Sequence, residues 1–283
     1  MSIRTEIKVE RSTSKELDGK QNGHVVVGID IGSLGAKAVL IGNHQVYTAL
    51  ARTGLYMQDT ADDLVAALTA AAGLQRKDVQ YVVATGYGRI ALKFGDTPSR
   101  IITEISCHAR GAHYLLPNTR TIIDMGGHDC KAIRVEDDGS VGDFAMNDKC
   151  AAGTGRFLEV MANVFKVKLE ELGPLALTAT GLVPVSSTCT VFAESETISL
   201  LARGESPANI LKGIHYAIAH RVGGLFSRVG VVGDIYFSGG VAKNLGMRKA
   251  LEEQLKANIK TSDFDPQLVG ALGAAAFATD YVN

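Results

Sequence analysis

The sequence predicts an α/β protein made of two similar halves, on three observations. Apolar, β-branched runs alternate with segments of helical spacing. A pattern of strand, Asp, glycine-rich turn and strand occurs at about residues 24–41 and again at 121–135, and internal repeats of this kind reveal architecture. Finally, 31 glycines with no Trp suit a fold with many close backbone approaches. The repeat implies that each half offers a glycine turn to a shared cleft. With 283 residues the chain can bury roughly three-quarters of its unfolded surface, enough for one large or two small domains.

Residues 1–23 are polar, charged and aperiodic, which predicts a flexible tail. Order begins at His24–Asp30, a β-branched run ending in a glycine-rich turn, and Lys37–Ile41 completes a hairpin. Asp62–Gly73 has helical spacing and stops at a glycine. Val79–Thr85 is a strand entering a turn at Gly86–Arg89, and Glu104–Leu116 is a helix. Thr121–Gly127 and Lys131–Val135 repeat the hairpin. Helices follow near Gly155–Phe165, Val191–Arg203 and Ala208–Val229. A strand, Asp234–Ser238, enters Gly239–Gly240, and a helix starts at about Met247. The Ala-rich last helix, Leu268–Tyr281, is expected to pack back on the first half. The expected domains are thus 24–117 with about 265–283, and 118–264.

Net charge is −1 and the charges are well mixed, so no electrostatic footprint for nucleic acid is present. No apolar run reaches the ~18–20 residues of a membrane span, and no signal-peptide core stands at the N-terminus. A cytoplasmic protein with neither a membrane nor a nucleic-acid partner is expected. Its four cysteines, Cys107, Cys130, Cys150 and Cys189, should then be reduced. There is no CxxC, hence no self-contained zinc or ferredoxin-type site.

Three glycine turns carry phosphate chemistry. In Gly28-Ile-Asp-Ile-Gly32-Ser33, glycines allow backbone N–H groups to approach phosphate oxygens where a Cβ would block them. Asp30 would hold a water of a Mg²⁺ shell; the alternative is an ordinary hairpin with Asp at its turn. In Asp124-Met-Gly126-Gly127-His128-Asp129, either Asp124 or Asp129 could hold the second side of the metal or orient the attacking water. His128 either touches that water or is a turn histidine without chemistry. Ser238-Gly239-Gly240-Val-Ala-Lys243-Asn244 suits a cradle for adenosine or ribose, or a helix start that uses glycine only to turn. Lys37 either reaches the phosphates or is a solvated strand lysine.

Cys150 and Cys189 each stand before a run that reads as a helix start. A helix N-terminus carries roughly +0.5 of an elementary charge and unpaired N–H donors, which lowers a thiol pKa and suits an anionic cluster. A [4Fe–4S] cluster takes four thiolates, so one chain supplies half a site and a second subunit the rest. The competing reading of each cysteine is a buried small hydrophobe. Cys107 and Cys130 are read as structural.

The three turns together resemble the phosphate and adenosine motifs of the sugar kinase, heat-shock chaperone and actin superfamily. Asn147–Ala162 (NDKCAAGTGRFLEVMA) and Ser186–Glu196 (SSTCTVFAESE) resemble the BadF/BadG/BcrA/BcrD group, with support from Thr85–Arg89 and Glu104–Ala112. The resemblance covers about residues 24–281. It implies an actin-like ATPase fold, with two RNase H-like α/β subdomains around a nucleotide cleft, and ATP, Mg²⁺ and a [4Fe–4S] cluster as cofactors. Cys150 and Cys189 of each of two subunits would bind the cluster. ATP hydrolysis would drive low-potential electrons from ferredoxin or flavodoxin onto a partner CoA-ester enzyme.

Two departures stand out: Leu34 where relatives often carry Thr, and His128 where Gln is usual. With the polar N-terminal extension, the altered second turn favours an ATP-binding subunit of a benzoyl-CoA reductase, paired with a non-identical, paralogous subunit. The alternative is a homodimeric activator of a 2-hydroxyacyl-CoA dehydratase. Rival classes are a small-molecule (amino-sugar) kinase, with Asp124 as base, and a non-enzymatic actin-like or chaperone-like switch. Neither rival needs the two cysteines.

Overall fold

The computed structural model describes residues 6–17, 23–185 and 189–282. Residues 1–5 and 18–22 of the expected tail, and Ser186–Thr188 beside Cys189, lie outside them. The chain divides into two units. Unit 1 takes Met1–Asn118, Val135–Val141 and Ser262–Asn283, and unit 2 takes Thr119–Arg134 and Gly142–Thr261.

Unit 1 begins with β1 (Lys8–Arg11), β2 (Val26–Ile31), β3 (Gly35–Gly42), β4 (Gln45–Arg52) and α1 (Met57–Ala71). It continues with β5 (Tyr81–Thr85), a 3₁₀ turn at Tyr87–Ala91, β6 (Ser99–Ile101) and α2 (Glu104–Leu115). Its sheet runs β1-β4-β3-β2-β5-β6. β2 lies antiparallel to β3 and parallel to β5, with Asp30 opposite both Lys37 and Thr85. Successive strand residues face opposite sides. Val27, Ile29 and Ile31 therefore share a core with Leu64, Val65 and Leu68 of α1, while Gly28 faces the other way.

The expected tail is corrected in part: Lys8–Arg11 pairs antiparallel with Tyr47–Leu50 of β4. Ile7 and Val9 pack on the unit 1 core, and Leu17 is buried. An alternation this short inside a charged segment leaves no periodic signal.

Unit 2 contains β7 (Thr119–Met125), β8 (Cys130–Val135), β9 (Val141–Asn147), α3 (Gly155–Phe165), α4 (Leu172–Leu177), α5 (Thr190–Ala202) and α6 (Pro207–Val229). Then come β10 (Asp234–Ser238), a 3₁₀ turn at Gly240–Lys243, α7 (Leu245–Leu255) and β11 (Ile259–Lys260). The sheet order is β11-β10-β7-β8-β9. Its core is built on Ile123, Phe157, Met161, Ile214, Ile218 and Phe237, all buried. α6 owes its length to Pro207 at its first turn, where a missing N–H costs nothing, and to apolar Ile210, Leu211, Ile214, Ile218 and Val222 on one side.

The chain returns to unit 1 with α8 (Val269–Asp280), which is buried nearly throughout. Small residues let it lie directly on β2: a Cβ at Gly28 would collide with Ala271 O and Ala275 N. Gly28 therefore serves helix–sheet contact, and its missing side chain is filled by α8. Gly28→Ala should lower stability by at least about 3 kcal/mol, since backbone atoms cannot give way as side chains do. Guanidinium unfolding of the two proteins measures this.

Candidate nucleotide and thiol sites

The sequence repeat appears as two copies of one constellation. In unit 1, β2 and β3 are joined by a two-residue loop, Ser33–Leu34, closed by Gly32 N donating to Gly35 O at 3.0 Å. In unit 2, Gly127–His128 joins β7 to β8, and Gly126 N donates to Asp129 O at 3.0 Å. Leu34 and His128, the two departures noted above, occupy the same second loop position, and both are exposed. So is Ser33, whereas Gly126, Gly127 and Asp129 are half-buried.

Behind each loop lies a buried carboxylate facing a lysine. Lys37 Nζ is 3.1 Å from Asp30 Oδ2. Lys131 Nζ is 3.1 Å from Asp124 Oδ2 and 2.8 Å from Asp129 Oδ2. Lys131 is only 2% exposed, as is Asp124. Each neighbouring parallel strand ends in a glycine with positive φ, Gly86 at 85° and Gly239 at 86°. A Cβ at Gly86 would collide with Asp30 Oδ1, and one at Gly239 with Met125 O. Only glycine permits both the turn and this approach.

The copies differ in how far the carboxylate is satisfied. Ser238 Oγ donates to Asp124 Oδ1 at 2.9 Å, so both oxygens of Asp124 are engaged. Asp30 Oδ1 is buried and makes no hydrogen bond. A buried unpaired acceptor is costly, and this one fits a water of a hydrated Mg²⁺. Asp30 thus suits the metal role. Asp124 is tied into the unit 2 sheet, and Asp129 is the more exposed carboxylate of that turn.

Among the adenosine-turn residues, Gly240 and Lys243 bound the 3₁₀ turn, and Lys243 is exposed. Asn244 caps α7 instead of facing solvent: its Oδ1 accepts from Met247 N at 2.9 Å and lies 3.1 Å from His215 Nε2. Sequence reasoning missed Lys131 and His215, and gave Thr85, Gly86 and Ser238 no part beside the two carboxylates. The signal for Lys131 was its spacing, seven residues after Asp124 as Lys37 follows Asp30.

The cysteines divide by environment. Cys107 and Cys130 are buried; burial pushes the Cys107 thiol up to about 12 and raises Cys130 as well. Such thiols stay protonated and are poor ligands. Cys150 and Cys189 are half-buried. Cys189 is the N-cap of α5. Cys150, expected immediately before a helix, stands five residues ahead of α3, because Gly153 at φ 95° opens a turn. Asn147 Nδ2 holds that turn through Cys150 O at 3.0 Å and Ala152 O at 3.2 Å. The donor set fits half of a four-thiolate cluster site.

α3 also begins on the second phosphate turn. Gly155 N donates to Gly126 O and Arg156 N to Gly127 O, each at 2.9 Å. The turn and the Cys150 segment are therefore hydrogen-bonded to one helix end.

Fold and turns together define an ATPase of the actin-like α/β class. The chain belongs to the BadF/BadG/BcrA/BcrD ATPase family, whose model matches residues 27–278. It is 48% identical over 254 residues to the activator of lactoyl-CoA dehydratase of Anaerotignum propionicum, covering 89% of this chain and 96% of that protein. A benzoyl-CoA reductase subunit of Thauera aromatica is 36% identical over 263 residues, covering 89% and 92%. The crystal structure of (R)-2-hydroxyglutaryl-CoA dehydratase component A of Acidaminococcus fermentans superposes with TM-score 0.85 at 44% identity, covering 91% and 98%. An activator of 2-hydroxyisocaproyl-CoA dehydratase from Clostridium difficile, with bound ADPNP, gives 0.84 at 42%, covering 91% and 95%. A ROK family glucokinase from Streptomyces griseus shares the fold alone, at TM-score 0.54 and 14% identity over 90% of this chain and 99% of that one. Among the described residues no helix is long and apolar enough to cross a membrane.

Two outcomes test this geometry. Lys131→Met leaves two carboxylates without their cation and should cost about 3–5 kcal/mol, as removal of one partner of a buried pair does; chemical denaturation measures it. His215 has its pKa lowered, first by burial and against its hydrogen bonds to Leu211 and Asn244. The unfolded chain therefore binds the proton more readily, and stability should fall as pH drops below about 6.5, the ordinary histidine value. Melting temperatures between pH 7.5 and 5 should decline less steeply in His215→Gln than in the parent.

Proposed function

We propose that this chain is the ATP-hydrolysing, electron-activating component that serves a 2-hydroxyacyl-CoA dehydratase, working as a homodimer with one [4Fe–4S] cluster between its two copies. The observation that carries it is the pair of half-buried thiols in unit 2, one capping α5 and one clamped by Asn147, beside two thiols that burial keeps protonated. Electrons would come from reduced ferredoxin or flavodoxin and pass to the CoA-ester enzyme.

The altered second turn and the polar N-terminal extension favour a benzoyl-CoA reductase subunit. Identity supports the alternative: 48% to a dehydratase activator against 36% to the reductase subunit. His128, the altered residue of the second turn, lies at an exposed loop tip, where substitution is well tolerated.

The chain's own residues have distinct tasks in this reading. Asp30 offers an unpaired acceptor to the metal's water shell, and Lys37 holds its other oxygen at 3.1 Å. The loop tips Ser33–Leu34 and Gly127–His128 present backbone N–H groups to phosphate oxygens. When bound, Mg²⁺ would supply charge neutralisation at the phosphates, and the cluster would supply electron transfer. Cys150 and Cys189 would hold the cluster, and Cys189 stands at the α5 N-terminus, whose unpaired N–H groups suit an anionic group. Val191, Phe192 and Ile198 of α5 are 65%, 68% and 52% exposed, an apolar face beside Cys189 that suits burial by the second copy.

Protein purified without oxygen should be a dimer with about four irons per two chains. Cys150→Ala and Cys189→Ala should each lose the iron and the brown colour while still binding ADP. Full iron in either variant rejects the ligand assignment. A stable, cluster-loaded homodimer that activates a dehydratase supports the activator reading, and a requirement for a non-identical subunit overturns it.

A further inference from the structure

We infer that His215 is a positioning residue of the third glycine turn and acts on it through Asn244; this rests on the reading of that turn as the adenosine cradle of an ATPase.

The turn is a short segment between two fixed ends. At its start, a Cβ on Gly239 would collide with Met125 O, so the end of β10 meets β7 at main-chain distance. Ala242 N then donates to Gly239 O at 3.2 Å, and Asn244 N donates to Val241 O at 2.9 Å. Between these ends Gly240 and Lys243 are exposed, within reach of a ligand. Where they stand depends on where Asn244 is held.

Asn244 is held by more than its cap requires. Its Oδ1 accepts from Met247 N at 2.9 Å, which by itself completes the N-cap of α7. The same oxygen lies 3.1 Å from His215 Nε2, 29 residues earlier on α6. α4 closes in as well: a Cβ at Gly173 would lie 2.5 Å from Asn244 Oδ1 and 3.0 Å from Gly246 N. The Met247 N–H fixes which end of the amide faces the ring. His215 therefore meets an oxygen, and Nε2 must donate to it.

His215 is 1% exposed. Burying an imidazole is costly, and an aliphatic side chain would fill the same space more cheaply. Its Nδ1 lies 2.7 Å from Leu211 O, one turn back on the same helix. That carbonyl already accepts a helical N–H, so it needs nothing from the ring. Only the contact with Asn244 joins two elements. It ties the end of the turn to α6, whose Ile210, Leu211, Ile214 and Ile218 belong to the unit 2 core.

The test is ADP binding by calorimetry on the anaerobically purified full chain, with two replacements of similar size. His215→Leu fills the space and removes the donor; His215→Gln reaches the position of Nε2 and can still donate to Asn244. His215→Leu should bind ADP about three- to tenfold more weakly, the worth of one hydrogen bond, while its melting temperature does not fall. His215→Gln should recover most of the lost affinity. A purely structural role would give the opposite order, with the apolar replacement at least as good as the amide. Gly173→Ala, which presses a methyl onto Asn244 Oδ1, should also weaken ADP binding and serves if His215→Leu fails to fold. Parental affinity in His215→Leu or in Gly173→Ala overturns the inference, as does a His215→Gln variant no better than His215→Leu. Gly240→Val crowds the turn itself. If it leaves ADP binding intact, the adenosine reading of the turn falls; if it weakens binding while His215→Leu does not, only the role of His215 falls.

Discussion

A buried carboxylate paired with a lysine directly across a hairpin is the constraint on which each half of this protein depends. Charge inside a protein is tolerated only when it is matched and hydrogen-bonded. Here the match is made by register: Asp30 opposite Lys37, Asp124 opposite Lys131. With partners seven positions apart, the connecting loop has only two residues at its tip, and Gly32 and Gly126 close it. The parallel strand alongside must then turn away at the carboxylate, which demands Gly86 and Gly239. One ion pair thus dictates a loop, a strand register and a neighbouring turn.

Repetition has not made the halves chemically equal. Asp124 has Ser238 on one oxygen and Lys131 on the other, and Lys131 also binds Asp129. Such a network is rigid because each member is satisfied. Thr85 occupies the place of Ser238 beside Asp30, yet no hydrogen bond joins it to the carboxylate, and Asp30 Oδ1 has no partner. Unit 1 keeps an unspent acceptor where a metal-bound water would need it, and unit 2 spends its acceptors on holding a turn.

Much of this was legible in the sequence, because the turns are contiguous motifs whose glycines mark tight geometry. Asp30, Asp124 and the two cysteines were picked out from local pattern alone. Lys131 repeats the Lys37 spacing, but the repeat shows only when the hairpins are aligned on their aspartates. Thr85 and Ser238 gain meaning from parallel pairing with distant strands. Asn244 was placed at a ligand on motif grounds, yet its oxygen caps α7. Gly28 looked like part of a phosphate loop, though α8 fills the space it leaves. The helix at Gly155 was legible, but nothing local shows that the chain between Cys150 and that helix makes a turn at Gly153.

The two thiols are anchored unequally, and α3 is what they have in common. Cys150 lies in a turn fastened by Asn147 and followed by α3, whose first N–H groups are bonded to Gly126 and Gly127. Cys189 caps α5, of which only Ala193 and Thr197 are buried, and Thr197 Oγ1 meets Met161 of α3 at 3.7 Å. Moving the Asp124 turn without moving α3 would break two backbone hydrogen bonds, each worth about 1 kcal/mol. Moving α3 without moving α5 would disturb the contact that seats α5. A displacement at the phosphate turn is therefore cheapest when the Cys150 segment and α3 travel with it, and α5 follows through side-chain packing. Within unit 2 this gives the two cysteines different stiffness towards the same turn: one tied by hydrogen bonds, the other resting on a helix surface.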